Sequence, residues 1–342
     1  MSSANSGVTL RIDARAETER ICAAIRNQIR SLKRRGALLG LSGGIDSSVA
    51  AALCARALGP ERVLGLCMPE RESSAESLRL GRLLGERLGI RVLVEEISDM
   101  LQASGCYERR NAAIRTVVLD YDDTWKSKIV LSTPRGGYNV FFVVTEAPDG
   151  AQRRVRLTAG AYLAIVAATN FKQRVRKTME YHHADRLNYA VIGTPNRLEY
   201  DQGFFVKNGD GAADLKPLAH LYKTQVYQLA DFLEIPDEIR QRRPTTDTYT
   251  LAQSQEEFYF SLPYETLDLC LLGLNDGVSP EELAPQVALT AGEVAEIYRG
   301  IAQKRATTRY LHEAPLLVDA SLPSSLRPSA DRRHTSRSTC CE

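Results

Sequence analysis

Leu39-Gly40-Leu41-Ser42-Gly43-Gly44-Ile45-Asp46-Ser47-Ser48 stands where two patterns meet. The apolar run Ala37–Leu41 ahead of it reads as a buried strand, and alanine-rich Asp46–Leu58 behind it reads as a helix. Ser42-Gly43-Gly44 is the turn between them. Glycines there let backbone N–H groups approach an anion closely, and Ser42, Ser47 and Ser48 add hydroxyl donors. The helix N-terminus adds positive potential. Such a loop is built to hold a phosphate chain. It is not a Walker loop, because no Gly-Lys-Ser/Thr follows. Asp46 would repel phosphate on its own, so its place in the loop points to Mg²⁺ held against the phosphates.

Outward from this loop the strand and helix patterns repeat. Ala14–Arg34 is a predicted helix, with Ile21, Cys22, Ile25, Ile29 and Leu32 at helical spacing and Gly36 after its basic last turn. Arg62–Met68 reads as a strand, Ala75–Leu88 as a helix and Ile90–Ile97 as a third strand. This alternation predicts an α/β fold with a doubly wound parallel sheet. Ala161–His183 reads as a long helix, Asn188–Thr194 resumes the strand pattern, and Tyr222–Leu233 reads as a helix ending before Pro236. The last third is predicted helical, with capping boxes opening at Ser279 and Thr290.

Residues 107–160 break the rhythm. Tyr138–Thr145 and Arg153–Thr158 alternate apolar and polar residues around Pro148-Asp149-Gly150, which predicts a β-hairpin. Lys128–Ser132 adds a candidate third strand. The segment reads as an insertion, either a lid or arm over the site or a solvated decoration. The expected organisation is one domain over residues 1–318 and a disordered tail over 319–342.

The 342 residues are 44% hydrophobic and 25% charged, which excludes a wholly disordered chain. Lys and Arg total 44 against 42 Asp and Glu, a net charge of +2 that does not suit a general nucleic-acid coat. The 7 cysteines include no Cys-x-x-Cys pair and suit reduced, buried thiols in a cytoplasmic protein. Met1–Gly7 is small and polar rather than a secretory signal, and no apolar run is long enough to span a bilayer. A soluble, cytosolic protein is expected. Adjacent His182 and His183 point in different directions on a helix and are not expected to bind metal.

Ser42-Gly43-Gly44-Ile45-Asp46-Ser47-Ser48 resembles the pyrophosphate loop of the ATP pyrophosphatases (PP-loop enzymes). Later motifs resemble the NAD synthetase branch of that superfamily. Asn170-Phe171-Lys172-Gln173-Arg174 is similar to its Asn-x-x-x-Arg helix, and Gly193-Thr194-Pro195-Asn196-Arg197-Leu198-Glu199 to its Gly-Thr-x-Asn-x-x-Glu stretch. Gly203-Phe204-Phe205-Val206-Lys207-Asn208-Gly209-Asp210-Gly211-Ala212-Ala213-Asp214 resembles its Gly-x-Phe-Thr-Lys-x-Gly-Asp-Gly-x-x-Asp run. Leu215-Lys216-Pro217-Leu218, Leu221–Val226 and Pro244-Thr245-Thr246-Asp247 continue it. The resemblance spans about residues 14–105 and 161–310.

It implies a Rossmann-like, adenine nucleotide alpha hydrolase-like fold. It further implies ammonia-dependent amidation of deamido-NAD (nicotinate adenine dinucleotide) to NAD through an acyl-adenylate, with ATP as co-substrate and release of AMP and pyrophosphate. Position by position, Asp46 and Glu199 are implied as Mg²⁺ ligands. Leu41, Ser42, Gly43, Gly44, Asp46, Ser47, Ser48, Arg71, Arg174, Thr194, Lys223 and Thr245 are implied at ATP, and Phe204, Lys207, Asp210 and Asp214 at deamido-NAD. Asp46, Lys223 and Asp210 are implied in catalysis, Asp210 with either a binding role or a part in handling ammonium. The resemblance also implies a homodimer. With only about 35 residues ahead of the loop strand, the ammonia is expected free or from a separate glutaminase subunit.

The departures are the insertion, Pro195, and Glu70-Arg71-Glu72-Ser73-Ser74, of which only Arg71 and the serines match the family's nucleotide loop. They motivate a second reading, a related PP-loop enzyme amidating or thiolating another carboxylate or carbonyl. A non-catalytic nucleotide-binding protein is a third, against which the Asp46, Glu199 and Lys223 set argues.

Overall fold

The computed structural model describes residues 8–132, 140–242, 249–251 and 262–316. Its central sheet is parallel, built from β1 (Gly36–Gly40), β2 (Val63–Cys67), β3 (Arg91–Val94) and β7 (Tyr189–Val191) in the order β3-β2-β1-β7. β2 is buried along its length and β1 up to Gly40, as strands covered on both faces must be. Helices α1 (Ala14–Ser31), α2 (Ile45–Leu58), α3 (Ala75–Leu88) and α8 (Lys223–Phe232) pack one face, where Ile25, Ile29, Val49, Leu53, Leu84 and Leu229 form the main core. The opposite face is covered by α4 (Ser98–Ala103), α5 (Cys106–Arg115) and α6 (Ala159–Leu187) around Leu38, Leu64, Leu66, Leu101 and Tyr107. This is the expected doubly wound arrangement.

The C-terminal third is helical: α10 (Tyr264–Asp276), α11 (Pro280–Val287) and α12 (Ala291–His312), preceded by the short α7 (Arg197–Asp201) and α9 (Asp237–Arg240). The boxes at Ser279 and Thr290 are formed, each side chain accepting from the N3 backbone N–H.

The segment that breaks the rhythm carries an antiparallel sheet, β4 (Lys126–Ser132), β5 (Val140–Glu146) and β6 (Gln152–Arg156), in that order. α5 lies inside the expected insertion yet packs against α6 as part of the main body. Arg110 hides its helical periodicity. It is buried because its guanidinium donates to Glu72, 2.6 Å away, and Glu72 also accepts from buried Lys172 at 2.6 Å. Desolvation acts against the Glu72 carboxylate, but Arg110 and Lys172 outweigh it and hold its pKa at about 2.

Cys22, Cys54, Cys67, Cys106 and Cys270 are buried free thiols, while Cys340 and Cys341 lie outside the described residues, as do the expected 319–342 tail and the Pro244–Asp247 element. His183 is buried: its ring meets Glu95 at 2.9 Å and Arg186 at 3.0 Å. Among the described residues, no helix is long and apolar enough to cross a membrane.

α3 approaches the sheet through glycines. A Cβ on Gly81 would stand 2.6 Å from Cys67 Sγ, and one on Gly85 would stand 2.2 Å from Val92 Cγ2. Gly81→Val should therefore cost about 1–3 kcal/mol by overpacking. Thermal unfolding will show this as a lowered Tm; an unchanged Tm would mean that α3 is free to lift.

Candidate active site

The carboxyl edge of the parallel sheet opens into a cavity of about 700 Å³. One end is the turn between β1 and α2. Gly43 has φ +70°, the left-handed conformation that a turn this tight requires. Gly44 caps α2 without any side-chain bond, leaving the first N–H groups of the helix free of a side-chain cap. Ser42 Oγ accepts from Gly44 N at 3.3 Å and lies 3.1 Å from Ser47 Oγ. Ser47 and Ser48 donate to the Gly44 carbonyl at 3.0 and 2.8 Å. The result is a small polar cradle at the positive end of a helix, suited to a phosphate.

Asp46 is the hinge of the site. One carboxylate oxygen accepts from Asn196 Nδ2 at 3.1 Å, and the other accepts from the ammonium of Lys223. Asn196 in turn caps α7. Its side chain accepts from Glu199 N at 3.1 Å, and Glu199 Oε2 accepts from Asn196 N at 3.2 Å. One capping box thus fixes Glu199 and delivers the amide that holds Asp46. Lys223 opens α8 and is wholly buried. Burial works to lower its pKa, but Asp46 and then Glu199 outweigh it, so Lys223 is held above its ordinary value and stays charged. Asp268 of α10 accepts from Thr224 N at 2.8 Å and Thr224 Oγ1 at 3.0 Å, anchoring the helix end that carries Lys223.

The far wall is one face of α6, where Tyr162, Val166, Asn170, Gln173, Lys177 and Glu180 line the cavity at helical spacing. Lys177 Nζ lies 2.5 Å from Glu180 Oε2, and both side chains are buried. Burial raises the Glu180 carboxyl, with Lys177 opposing. Asp210 faces the cavity and remains open to solvent through it, although protein crowds its other sides, and that desolvation raises its carboxyl as well. Lys304 of α12 lines the same space, and burial lowers its pKa to about 8.

The site residues expected from sequence divide clearly. Leu41, Ser42, Gly44, Asp46, Ser47, Arg174, Thr194, Glu199, Phe204, Lys207 and Asp210 line the cavity. Gly43 and Ser48 back the cradle, and Lys223 reaches it through Asp46. Arg71 is not among the lining residues; its guanidinium stacks 3.5 Å from the centre of the Tyr107 ring. Asp214 is also set back, accepting from Val191 N at 2.8 Å and thereby bracing β7. Lys207 donates to the Tyr310 carbonyl at 2.8 Å, tying its loop to α12. Thr245 lies outside the described residues. Sequence reading missed Asn196 as a site residue, although Asn196-Arg197-Leu198-Glu199 carries the capping-box pattern; it also missed Glu180, Lys177 and Lys304. Among the described residues no group of three or more metal-ligating side chains is gathered.

The model of the NAD synthase family matches residues 17–119 and 152–310. The chain belongs to the NAD synthase family. It is similar to the NH(3)-dependent NAD(+) synthetase of Rhizobium meliloti, with 58% identity over 92% of this chain and 94% of that one. Its fold is like that of the NH3-dependent NAD synthetase from Campylobacter jejuni, at TM-score 0.60 and 22% identity, over 90% of this chain and 100% of that one. It is also like that of NMN synthetase from Francisella tularensis, at TM-score 0.62 and 21% identity, over 90% and 99%. The match to the NAD synthase family passes over residues 120–151, which hold β4 and β5.

Asp268 sets a pH test of this architecture. Burial raises its carboxyl to about 6 from an ordinary 3.8, with the α8 N–H groups opposing. A raised carboxyl contributes stability while protonated and loses it as pH climbs from its unfolded to its folded value. Relative to Asp268→Asn, the wild type should lose roughly 2–3 kcal/mol between about pH 4 and 6. Urea unfolding of both proteins across that range checks this; parallel curves would show that Asp268 ionises normally.

Proposed function

We propose that this cavity joins ammonia to the carboxylate of deamido-NAD at the expense of ATP, yielding NAD, AMP and pyrophosphate. The chain is a C–N ligase of the NAD synthase family, and ATP and small-molecule substrates suit the cradle and cavity. The observation that carries the reading is Asp46, held between Asn196 and Lys223 at the mouth of the phosphate cradle and beside Glu199.

The α- to γ-phosphates of ATP rest on the N-terminus of α2, with the hydroxyls of Ser42, Ser47 and Ser48 around them. Asp46 and Glu199 fit Mg²⁺. They are hard oxygen donors that both act on Lys223 and both line the cavity, and such an ion takes one or two carboxylates and completes its shell from phosphate and water. Bound there, Mg²⁺ would neutralise charge developing on the departing pyrophosphate. Lys223 supplies fixed positive charge to the same leaving group, and its carboxylate neighbours keep it protonated for that purpose. Arg174 and Thr194 face ATP; Thr245 is assigned there by resemblance alone. Arg71, assigned to ATP by resemblance, rests on the Tyr107 ring beside the loop that carries Ser73 and Ser74.

Phe204, Lys207 and Asp210 face the dinucleotide, with Asp214 supporting their loop from behind. The nicotinate carboxylate attacks the α-phosphorus, pyrophosphate leaves, and an acyl-adenylate forms. Ammonia then attacks the acyl carbon and AMP leaves. Asp210, whose carboxyl desolvation raises, is assigned to bind ammonium or take its proton. Thiolation or amidation of a different carboxylate is not favoured, since it would leave the match to the NAD synthetase of Rhizobium meliloti unexplained. A cytosolic homodimer supplied with free ammonia or by a separate glutaminase completes the reading.

Asp46→Asn keeps a hydrogen-bonding partner for Lys223 but removes the charge. Deamido-NAD-dependent pyrophosphate release from Mg-ATP and ammonium should fall by about two orders of magnitude or more, with an unchanged circular dichroism spectrum. Near-wild-type release would remove Asp46 from the metal role.

A further inference from the structure

The inserted antiparallel sheet has an inner and an outer face. Ser127, Ile129 and Leu131 of β4 lie opposite Thr145, Val143 and Phe141 of β5. Ile129 and Val143, each 1% exposed, share a hydrophobic cluster with Ala113 and Ile114 of α5 and Ala161 and Ile165 of α6. The same face continues one pair further, to Leu131 and Phe141, and there it enters the cavity wall. Phe141 stacks on Tyr162, with ring centroids 3.9 Å apart and 19° between planes, and Val166 lines the wall beside them. The outer face is different. Phe142 lies under the Arg154 guanidinium, 4.2 Å from it, and does not line the cavity.

Position along α6 tells which substrate this wall meets. Glu180 lies by the phosphate cradle, its Oε1 3.0 Å from where a Gly40 Cβ would stand. Tyr162 is eighteen residues earlier on the same helix face, about 27 Å along its axis. A nucleotide anchored at the cradle by its triphosphate ends short of that distance, whereas a dinucleotide whose carboxylate meets the α-phosphorus starts beyond the cradle and carries its rings onward along the same face. The wall is also the wrong chemistry for phosphate and the right one for a flat heteroaromatic ring.

We infer that Leu131 and Phe141 of the inserted sheet, with Tyr162, form the subsite for a ring of the dinucleotide substrate, making the insertion a specificity element of the active site. This rests on deamido-NAD being the substrate, so the test measures wild-type turnover in the same assay; absence of that turnover would fail the substrate reading itself. In the full-length enzyme, Phe141→Ala should raise KM for deamido-NAD about tenfold while KM for ATP stays within about twofold. Phe141→Tyr should restore the wild-type value, because it keeps the ring. Phe142→Ala on the outer face should change neither KM. The inference is overturned if Phe141→Ala leaves KM for deamido-NAD unchanged, raises KM for ATP equally or instead, or is matched by Phe142→Ala.

Discussion

A lysine with no exposed surface must find a counter-charge or give up its proton. Lys223 sets that constraint, and much of the site follows from it. Its ammonium needs carboxylate, so the N-terminus of α2 must bring Asp46 to it. Asp46 has a second oxygen to satisfy, and Asn196 satisfies it from the segment that follows β7. Removing one member of a buried pair costs about 3–5 kcal/mol, so these three segments are held in register by charge as well as by packing. The topology makes the meeting possible. β1 and β7 are neighbours in the sheet, so the turns at their carboxyl ends lie side by side.

The same constraint prepares the chemistry. A fixed positive charge beside two carboxylates, at the end of a helix with uncapped N–H groups, is a field arranged before substrate arrives. The apolar stretch of the cavity lies far along α6, so one helix face runs from a charged end suited to phosphoryl chemistry to an aromatic end suited to ring recognition. α6 also serves the core, which is why its buried side includes Lys172 and Lys177 beside Ile165 and Ala168.

The parts legible in the sequence are those where local chemistry is unusual. Ser42–Ser48 combines glycines, hydroxyls and one acid between an apolar run and an alanine-rich helix, and nothing in an ordinary turn demands that. Strand and helix order was legible because β1 and β2 are apolar throughout and α1 and α3 are amphipathic. α5 was not, because Arg110 and Asn111 sit on its buried side, where charge partners replace hydrophobic periodicity. The stacking of Arg71 was likewise hidden: a motif match cannot show that an aromatic ring 36 residues later lies under its guanidinium. Glu180 and Phe141 were invisible as site residues because their roles depend on which ends of a helix and a sheet overhang a cavity, a property of tertiary placement alone.

Central to the account is attack by the dinucleotide carboxylate on the α-phosphorus of ATP. Deamido-NAD carrying ¹⁸O in its carboxylate, turned over with Mg-ATP and ammonia and read by mass spectrometry, follows the bond that forms. The account predicts one ¹⁸O in each AMP and none in pyrophosphate. Unlabelled AMP, or label in pyrophosphate or inorganic phosphate, would contradict it.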